Sequence, residues 1–145
     1  MLCIDLEEKV HKMEKKTLVI PVIALMIHCA AHAQWVEVGT TKQVRMYIDK
    51  STMVKESSFL RRIWTLTDFK EGVVNQYGAG SIQTYTEVDC KAYSYRPLKI
   101  VMLSQPMAKG VVVKRVEPKP GEPNPMSAAS PGSMMDWVIS QTCLI

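Results

Sequence analysis

The sequence predicts an α+β fold: a mainly antiparallel sheet of about six strands, with one C-terminal helix packed on one face and one disulfide. Three observations predict it. Several short segments alternate apolar and polar residues, which is typical of half-buried strands. Apolar residues near the C-terminus repeat at helical spacing. Two cysteines, Cys90 and Cys143, fall one in the sheet portion and one in the helix. The 145 residues, 47% hydrophobic and 22% charged, suit one globular domain.

The first half of the domain contains three predicted strands. In the second of them, Val44, Met46 and Ile48 fall on one face. The strands are 35–38, 44–49 and 59–69. The segments between and after them are rich in polar residues or glycine and are predicted to be connections: 39–42, 50–58 and 70–80.

The longest predicted strand is Ser81–Arg96, which Pro97 ends. Its even positions are predicted to face the core: Ile82, Thr84, Thr86, Val88, Cys90 and Ala92. Its odd positions are predicted to face solvent: Ser81, Gln83, Tyr85, Glu87, Asp89, Lys91, Tyr93 and Tyr95. Two further strands, 98–103 and 110–116, are joined by 104–109.

The C-terminal part begins with a proline-rich loop and ends in a helix. Five of the eight prolines lie in 118–131, a density that neither a helix nor a ladder strand tolerates, so this segment is predicted to be an extended surface loop. Ser133 is a good helix N-cap, with Asp136 three residues later. Met135, Ile139 and Cys143 then share one face of the helix.

Cys90 and Cys143 are predicted to form a disulfide. Strand alternation directs Cys90 into the core, and helical spacing puts Cys143 on the apolar face, so two independent periodicities bring the sulfurs together. A bridge over roughly 50 residues stabilises a domain by about 4 kcal/mol in the chain-entropy model. The alternative is a pair of free buried thiols.

The N-terminus has the pattern of a secretory signal peptide. Lys15 and Lys16 precede the ten apolar residues 18–27, and an Ala-His-Ala sequence at 31–33 predicts cleavage before Gln34. The signal is therefore 1–33, or 13–33 if translation starts at Met13, and the mature domain is 34–145. The apolar stretch is too short to span a bilayer. The protein is thus expected to be exported to the periplasm or outer surface, and peripheral to the membrane unless it is lipidated at Cys29.

The residue types argue against catalysis, metals and cofactors. All three histidines precede residue 33, so the mature chain has no histidine for a triad, a metal site or a proton shuttle. Ser81 and Ser133 therefore have no base to activate them. Gly78-Ala-Gly80 is not a phosphate-binding motif. The acidic residues on or near strands are predicted to be solvated surface groups: Asp49, Asp68, Glu87 and Asp89.

The order and spacing of several short segments resemble the surface-adhesin protein E family of small exported Gram-negative proteins. The segments that carry this resemblance are Trp35, VRMYID at 44–49, IWTL at 63–66, Ser81 with EVDC at 87–90, RPL at 96–98, MAKGVV at 107–112, and PGS at 131–133 followed by Cys143. The resemblance implies an antiparallel sheet with a C-terminal helix tethered by one disulfide. The family usually has a tryptophan before the final helix, whereas here the only late one is Trp137, inside the helix.

The candidate binding residues lie on the predicted outer side of the long strand. They are Tyr85, Lys91, Tyr93 and Tyr95, with Arg96 at its end. Exposed tyrosines beside basic residues suit protein contacts. The alternative is that the tyrosines pack under the 70–80 loop or pair across strands.

The sequence and the resemblance together indicate a non-enzymatic exported binding protein. It would engage an extracellular or envelope protein through its exposed sheet face and loops. The net charge of +4 and the export signal argue against nucleic acid as the partner. The alternative function is a periplasmic enzyme or enzyme inhibitor.

Overall fold

The computed structural model describes residues 34–73 and 75–144. The predicted signal peptide 1–33, with Cys29, lies outside the described residues. The described residues form seven strands and one helix. These elements are β1 (Trp35–Thr40), β2 (Val44–Lys55), β3 (Leu60–Phe69), β4 (Ser81–Asp89), β5 (Ser94–Gln105), β6 (Lys109–Val116), β7 (Ser127–Ala128) and α1 (Met134–Cys143).

The strands form one antiparallel sheet in chain order, from β1 at one edge to β6 at the other. The two-residue strand β7 pairs with the start of β5. The predicted α+β class, with an antiparallel sheet, a C-terminal helix and a disulfide, is confirmed. No helix among the described residues is long and apolar enough to cross a membrane.

Helix α1 packs on one face of the sheet and covers part of it. We call this face the inner face and the opposite one the outer face. Directly paired residues of neighbouring strands share a face. The inner face therefore contains the row Ile48, Thr65, Thr84 and Ile100. The hydrophobic core lies between this face and the helix, where Met46, Ile48, Ile63 and Val138 are buried together. The next row, on the outer face, is Asp49, Trp64, Tyr85 and Lys99.

The helix begins where its cap residues predict. The Ser133 hydroxyl accepts a hydrogen bond from the backbone N–H of Asp136 at 3.2 Å. The Asp136 carboxylate in turn accepts the backbone N–H of Gly132 at 2.7 Å, which satisfies a further donor at the helix start. At the next residue, the Trp137 ring lies so close to Gly39 that a Cβ at Gly39 would come within 1.9 Å of it. Position 39 therefore has to be glycine for the helix to approach β1.

Strand β2 is longer than predicted, because it continues beyond an irregularity in its register with β3. The 50–58 segment was expected to be a connection, but β2 continues to Lys55. The Asp49 carboxylate accepts the backbone N–H of Ser51 at 3.0 Å and its hydroxyl at 2.6 Å. This local turn shifts the register between Asp49 and Val54, after which pairing with β3 resumes.

The prediction of one unbroken strand over Ser81–Arg96 is wrong. Strand β4 ends at Asp89, and β5 begins at Ser94 after a four-residue turn. The Asp89 carboxylate initiates this turn by accepting the backbone N–H groups of Lys91 and Ala92, both at 2.9 Å. Pro97, expected to end a strand, lies inside β5, next to the register irregularity that accommodates it.

The proline-rich segment follows β6 and lies along β5. Residues 117–126 have no regular structure, as predicted, but β7 pairs Ser127 and Ala128 with the first two residues of β5. A ladder strand was not expected there. Asn124 adds to this attachment, since its side-chain amide donates to the carbonyl of Pro97 at 2.9 Å.

The β5–β6 hairpin has an unusual turn. Met107 and Ala108 have positive φ values of 55° and 59°, which residues other than glycine rarely adopt. Buried polar groups hold this turn: the carboxylate of Asp68 accepts the Met107 N–H, and the hydroxyl of Ser81 accepts the Ala108 N–H at 3.1 Å. The strained backbone is therefore fixed by β3 and β4 beneath it.

Candidate functional site

The β4–β5 turn carries the disulfide. Cys90 is the first residue of the turn and bonds to Cys143 in the last turn of α1, with 5.7 Å between the Cα atoms. This pairing confirms the predicted bridge and excludes the alternative of two free thiols. The bridge fastens the C-terminal end of the helix to the sheet.

Tyr93 fastens the middle of the same helix to the same turn. It has a left-handed backbone with φ of 51°, and its hydroxyl lies 2.8 Å from the Ser140 hydroxyl and contacts the Asp136 carboxylate. The hydrogen bond to Asp136 raises the pKa of Tyr93, and the same bond lowers the pKa of Asp136. Tyr93 therefore has a structural contact that its strand-like sequence context did not predict.

The five candidate binding residues do not share one surface, because the β4–β5 turn separates them. Tyr85 and Arg96 lie on the outer face. Tyr95, paired with buried Val88, lies on the inner face near the helix. Lys91 is exposed in the turn, with its Nζ 5.6 Å from the centre of the Phe59 ring. The expectation of a common face for Tyr85, Lys91, Tyr93 and Tyr95 is therefore wrong.

A buried carboxylate organises the outer face around Arg96. Glu87, only 1% exposed, accepts hydrogen bonds from Arg62 at 2.8 Å on β3 and from Arg96 at 2.7 Å on β5. Burial alone would raise the pKa of Glu87, but the hydrogen bonds and charges of the two arginines outweigh this and hold the pKa below its ordinary value. One ionised glutamate thus holds two guanidinium groups, one on each side of β4.

The row beside these arginines is aromatic. Trp64 and Tyr85 lie opposite each other on β3 and β4, with ring centres 5.2 Å apart. Lys99 follows on β5, opposite Tyr85, and its Nζ lies 2.6 Å from the Glu117 carboxylate. We call this surface the outer-face patch. It consists of Arg62, Trp64, Tyr85, Arg96 and Lys99.

The side chains of the patch are held in place but reach solvent. Those of Arg62, Arg96 and Lys99 are 35%, 36% and 37% exposed. Trp64 and Tyr85 are half-buried. Such fixed aromatic and basic groups contact a partner with little loss of side-chain entropy.

Three of the four carboxylates expected to be solvated are buried. Asp49, Asp68 and Glu87 are each at most 4% exposed, and each accepts hydrogen bonds, from Ser51, Met107 and the two arginines respectively. The sequence did signal the outer-face patch in part, since Tyr85 and Arg96 were candidates. Arg62, Trp64 and Lys99 were missed because their proximity depends on the register of three strands.

The described residues include no histidine and no group of three or more histidine, cysteine or acidic side chains placed to hold a metal ion. The chemistry of the outer-face patch is that of contact: hydrogen bonds, charge and aromatic surface.

Comparison with known proteins places the chain in a class of bacterial adhesins. The model of the family described as surface-adhesin protein E matches residues 35–143, so the chain belongs to that family. No curated protein matches the chain in sequence. Membership of this family supports an adhesin-like function.

Solved structures of protein E from Haemophilus influenzae have the same fold. Crystal form II aligns with a TM-score of 0.53 and 12% identity over 75% of this chain and 96% of that chain. The selenomethionine form aligns with a TM-score of 0.55 and 14% identity over 78% and 88% of the two chains. Protein E from a non-typeable strain aligns with a TM-score of 0.55 and 14% identity over 80% of this chain and 79% of that chain.

Proposed function

We propose that this protein is an exported, non-enzymatic adhesin that binds an extracellular or envelope protein through its outer-face patch. The observation that carries the proposal is the buried Glu87, which fixes Arg62 and Arg96 beside the aromatic pair Trp64 and Tyr85. Tryptophan, tyrosine and arginine are the residues that contribute most to protein interfaces. Family membership supports the same class of function.

The charge of the patch indicates the character of the partner surface. Two cationic side chains of the patch, Arg62 and Arg96, flank the buried carboxylate of Glu87. At the rim, Glu56 pairs with Arg62 and Glu117 pairs with Lys99, the third cation of the patch. A partner surface with acidic groups around an apolar centre would complement this arrangement. We therefore expect association to weaken as salt concentration rises.

Export is the second part of the proposal. The leader 1–33 would direct the chain out of the cytoplasm, and the disulfide requires an oxidising compartment. Labelling of intact native bacteria with a membrane-impermeant reagent, followed by fractionation, tests the location. We expect this protein to be labelled on the intact cells. Recovery of the protein solely from the periplasm, unlabelled, would contradict adhesion by this protein.

A pair of charge reversals tests the outer-face patch itself. Lys99→Glu should weaken binding to immobilised extracellular or envelope proteins by at least about tenfold, because it places a like charge against an acidic partner. Lys119→Glu is the matched control: Lys119 also pairs with a glutamate, but it is 81% exposed in the proline-rich segment. Equal effects of the two variants, or none of either, would remove the patch from the proposal.

A further inference from the structure

A partly enclosed cavity of about 270 Å³ lies on the opposite side of the sheet from the outer-face patch, between the inner face and the start of α1. Its floor consists of four threonines from β3 and β4: Thr65, Thr67, Thr84 and Thr86. The hydrophobic core beneath the rest of the helix is filled by Met46, Ile48, Ile63 and Val138. The sheet area nearer β5 has threonines where a closed core would have valine or isoleucine.

Two of the four threonine hydroxyls have protein partners and two do not. The Thr65 hydroxyl donates to the carbonyl of Thr84 at 3.3 Å, and that of Thr67 donates to the Met46 sulfur at 3.5 Å. Within residues 34–73 and 75–144, the hydroxyls of Thr84 and Thr86 have no hydrogen-bond partner. Thr86 is 1% exposed and lines the cavity, so its hydroxyl is left to water or to a ligand in the cavity.

The walls of the cavity are apolar and contain sulfur. Three methionines contribute to them: Met46 from β2 and Met134 and Met135 from the first turn of α1. Tyr95, Pro97 and Ile100 of β5 complete the lining, and none of the described residues that form it is charged. Methionine sulfur contacts aromatic rings favourably, and flexible methionines adapt to the shape of a ligand.

We propose that this cavity binds a small uncharged aromatic molecule with one hydrogen-bonding group. The methionines and Tyr95 would surround the ring, and the hydroxyls of Thr84 and Thr86 would bind its polar group. A cavity of about 150 Å³ holds benzene, so this larger cavity has room for a fused ring. The described lining residues are uncharged, which disfavours an ionised group inside the cavity.

Indole and indene provide the first test, because they have nearly the same shape and only indole has an N–H. Methyl NMR titration of the purified, disulfide-bonded protein with each compound should shift the signals of Met134 and Met135, and indole should bind more tightly. No shift of these signals at about 10 mM of either compound, or equal affinity for both, would overturn the proposal.

Isosteric substitutions provide the second test. Thr86→Val removes the unpartnered hydroxyl without changing the shape of the side chain, and it should weaken indole binding about tenfold while leaving indene binding unchanged. Thr142→Val is the matched control, since Thr142 is fully buried in α1, its hydroxyl also has no partner among the described residues, and it does not line the cavity. Tight indole binding by the Thr86→Val variant would overturn the role of the hydroxyl.

Two further measurements identify where and how the ring enters. Ile100→Phe should fill part of the cavity and abolish indole binding; unchanged binding would place the ligand elsewhere. N-acetyltryptophanamide presents the same ring on a peptide and should bind at least tenfold more weakly than indole, because its amides have no partner among the apolar walls. If it binds as tightly as indole, the ring belongs to a partner protein, and the proposal of a free small molecule fails.

Discussion

Replacing Glu87 by glutamine removes the charge between Arg62 and Arg96 with little change of shape. Removing one member of a buried ion pair usually costs about 3–5 kcal/mol, because the other charge stays desolvated. Here both guanidinium groups are roughly one-third exposed, so water can compensate them in part. We therefore expect Glu87→Gln to lower the free energy of unfolding by about 2–3 kcal/mol at pH 7.

The effect should depend on pH in a defined direction. The pKa of Glu87 lies below its ordinary value of 4.5 in the folded protein. A carboxyl group with a lowered native pKa stabilises the fold fully above its unfolded pKa, and this contribution is lost as the pH falls through the native pKa. The difference between wild type and Glu87→Gln should therefore be constant above about pH 5 and shrink below about pH 4.

Urea denaturation of both proteins between pH 7 and pH 3 measures these differences. Glu117→Gln is the control, because Glu117 also pairs with a cation, Lys99, but its side chain is 55% exposed. This control should leave the free energy of unfolding nearly unchanged. A Glu87→Gln variant as stable as the control, or a difference from wild type that persists unchanged to pH 3, would refute the view that ionised Glu87 holds the two arginines.

Four further predictions concern other parts of the structure. Cys143→Ser should lower the free energy of unfolding by about 2–5 kcal/mol, and hydrogen exchange should show the helix opening before the sheet. Gly39→Ala should cost about 1–3 kcal/mol or more, because the added Cβ overlaps the Trp137 ring; Trp137→Leu in the same chain should restore part of the loss in a thermal melt. Ala108→Gly should raise the free energy of unfolding by about 1 kcal/mol by relieving the positive φ, and an unchanged value in urea denaturation would contradict strain at this turn. Mass spectrometry of the exported protein should show an N-terminus at Gln34, whereas a lipid-modified cysteine would contradict the predicted cleavage.

The elements that local patterns control were predicted well. The Ser133 cap and the spacing of apolar residues located the helix, since both depend on residues close in the chain. The same holds for the alternation in β2, where Met46 and Ile48 share the inner face as predicted. The predicted disulfide is present, although Cys90 lies at the first position of the turn after β4 and not on the strand itself.

The break between β4 and β5 was missed because two signals competed. Pro97 predicts the end of the long strand, yet proline fits beside a register irregularity. Asp89 is a turn signal within the sequence, because its carboxylate accepts hydrogen bonds from the backbone N–H groups of Lys91 and Ala92. Taking it into account would have separated Tyr85 from Tyr93.

The outer-face patch depends on information that no single segment contains. The sequence places Glu87 on the side of β4 away from the core, where a carboxylate is usually solvated. Its burial arises only because β3 and β5 align Arg62 and Arg96 with it. Strand register is set by the complete sheet, so the neighbours of Glu87 could not be read from its own strand.

The chain-order arrangement of the sheet has a consequence for how the molecule folds as it is made. Each of the strands β2 to β6 pairs with the strand that precedes it in the chain, so the sheet can grow by adding one hairpin at a time from the N-terminal side. The helix contacts the strand made first, because Trp137 lies over Gly39 of β1. Until the last residues of the chain are available, the inner face stays uncovered and Cys90 has no partner. A protein truncated before α1 would therefore have a paired sheet with an exposed apolar face, a species prone to aggregation.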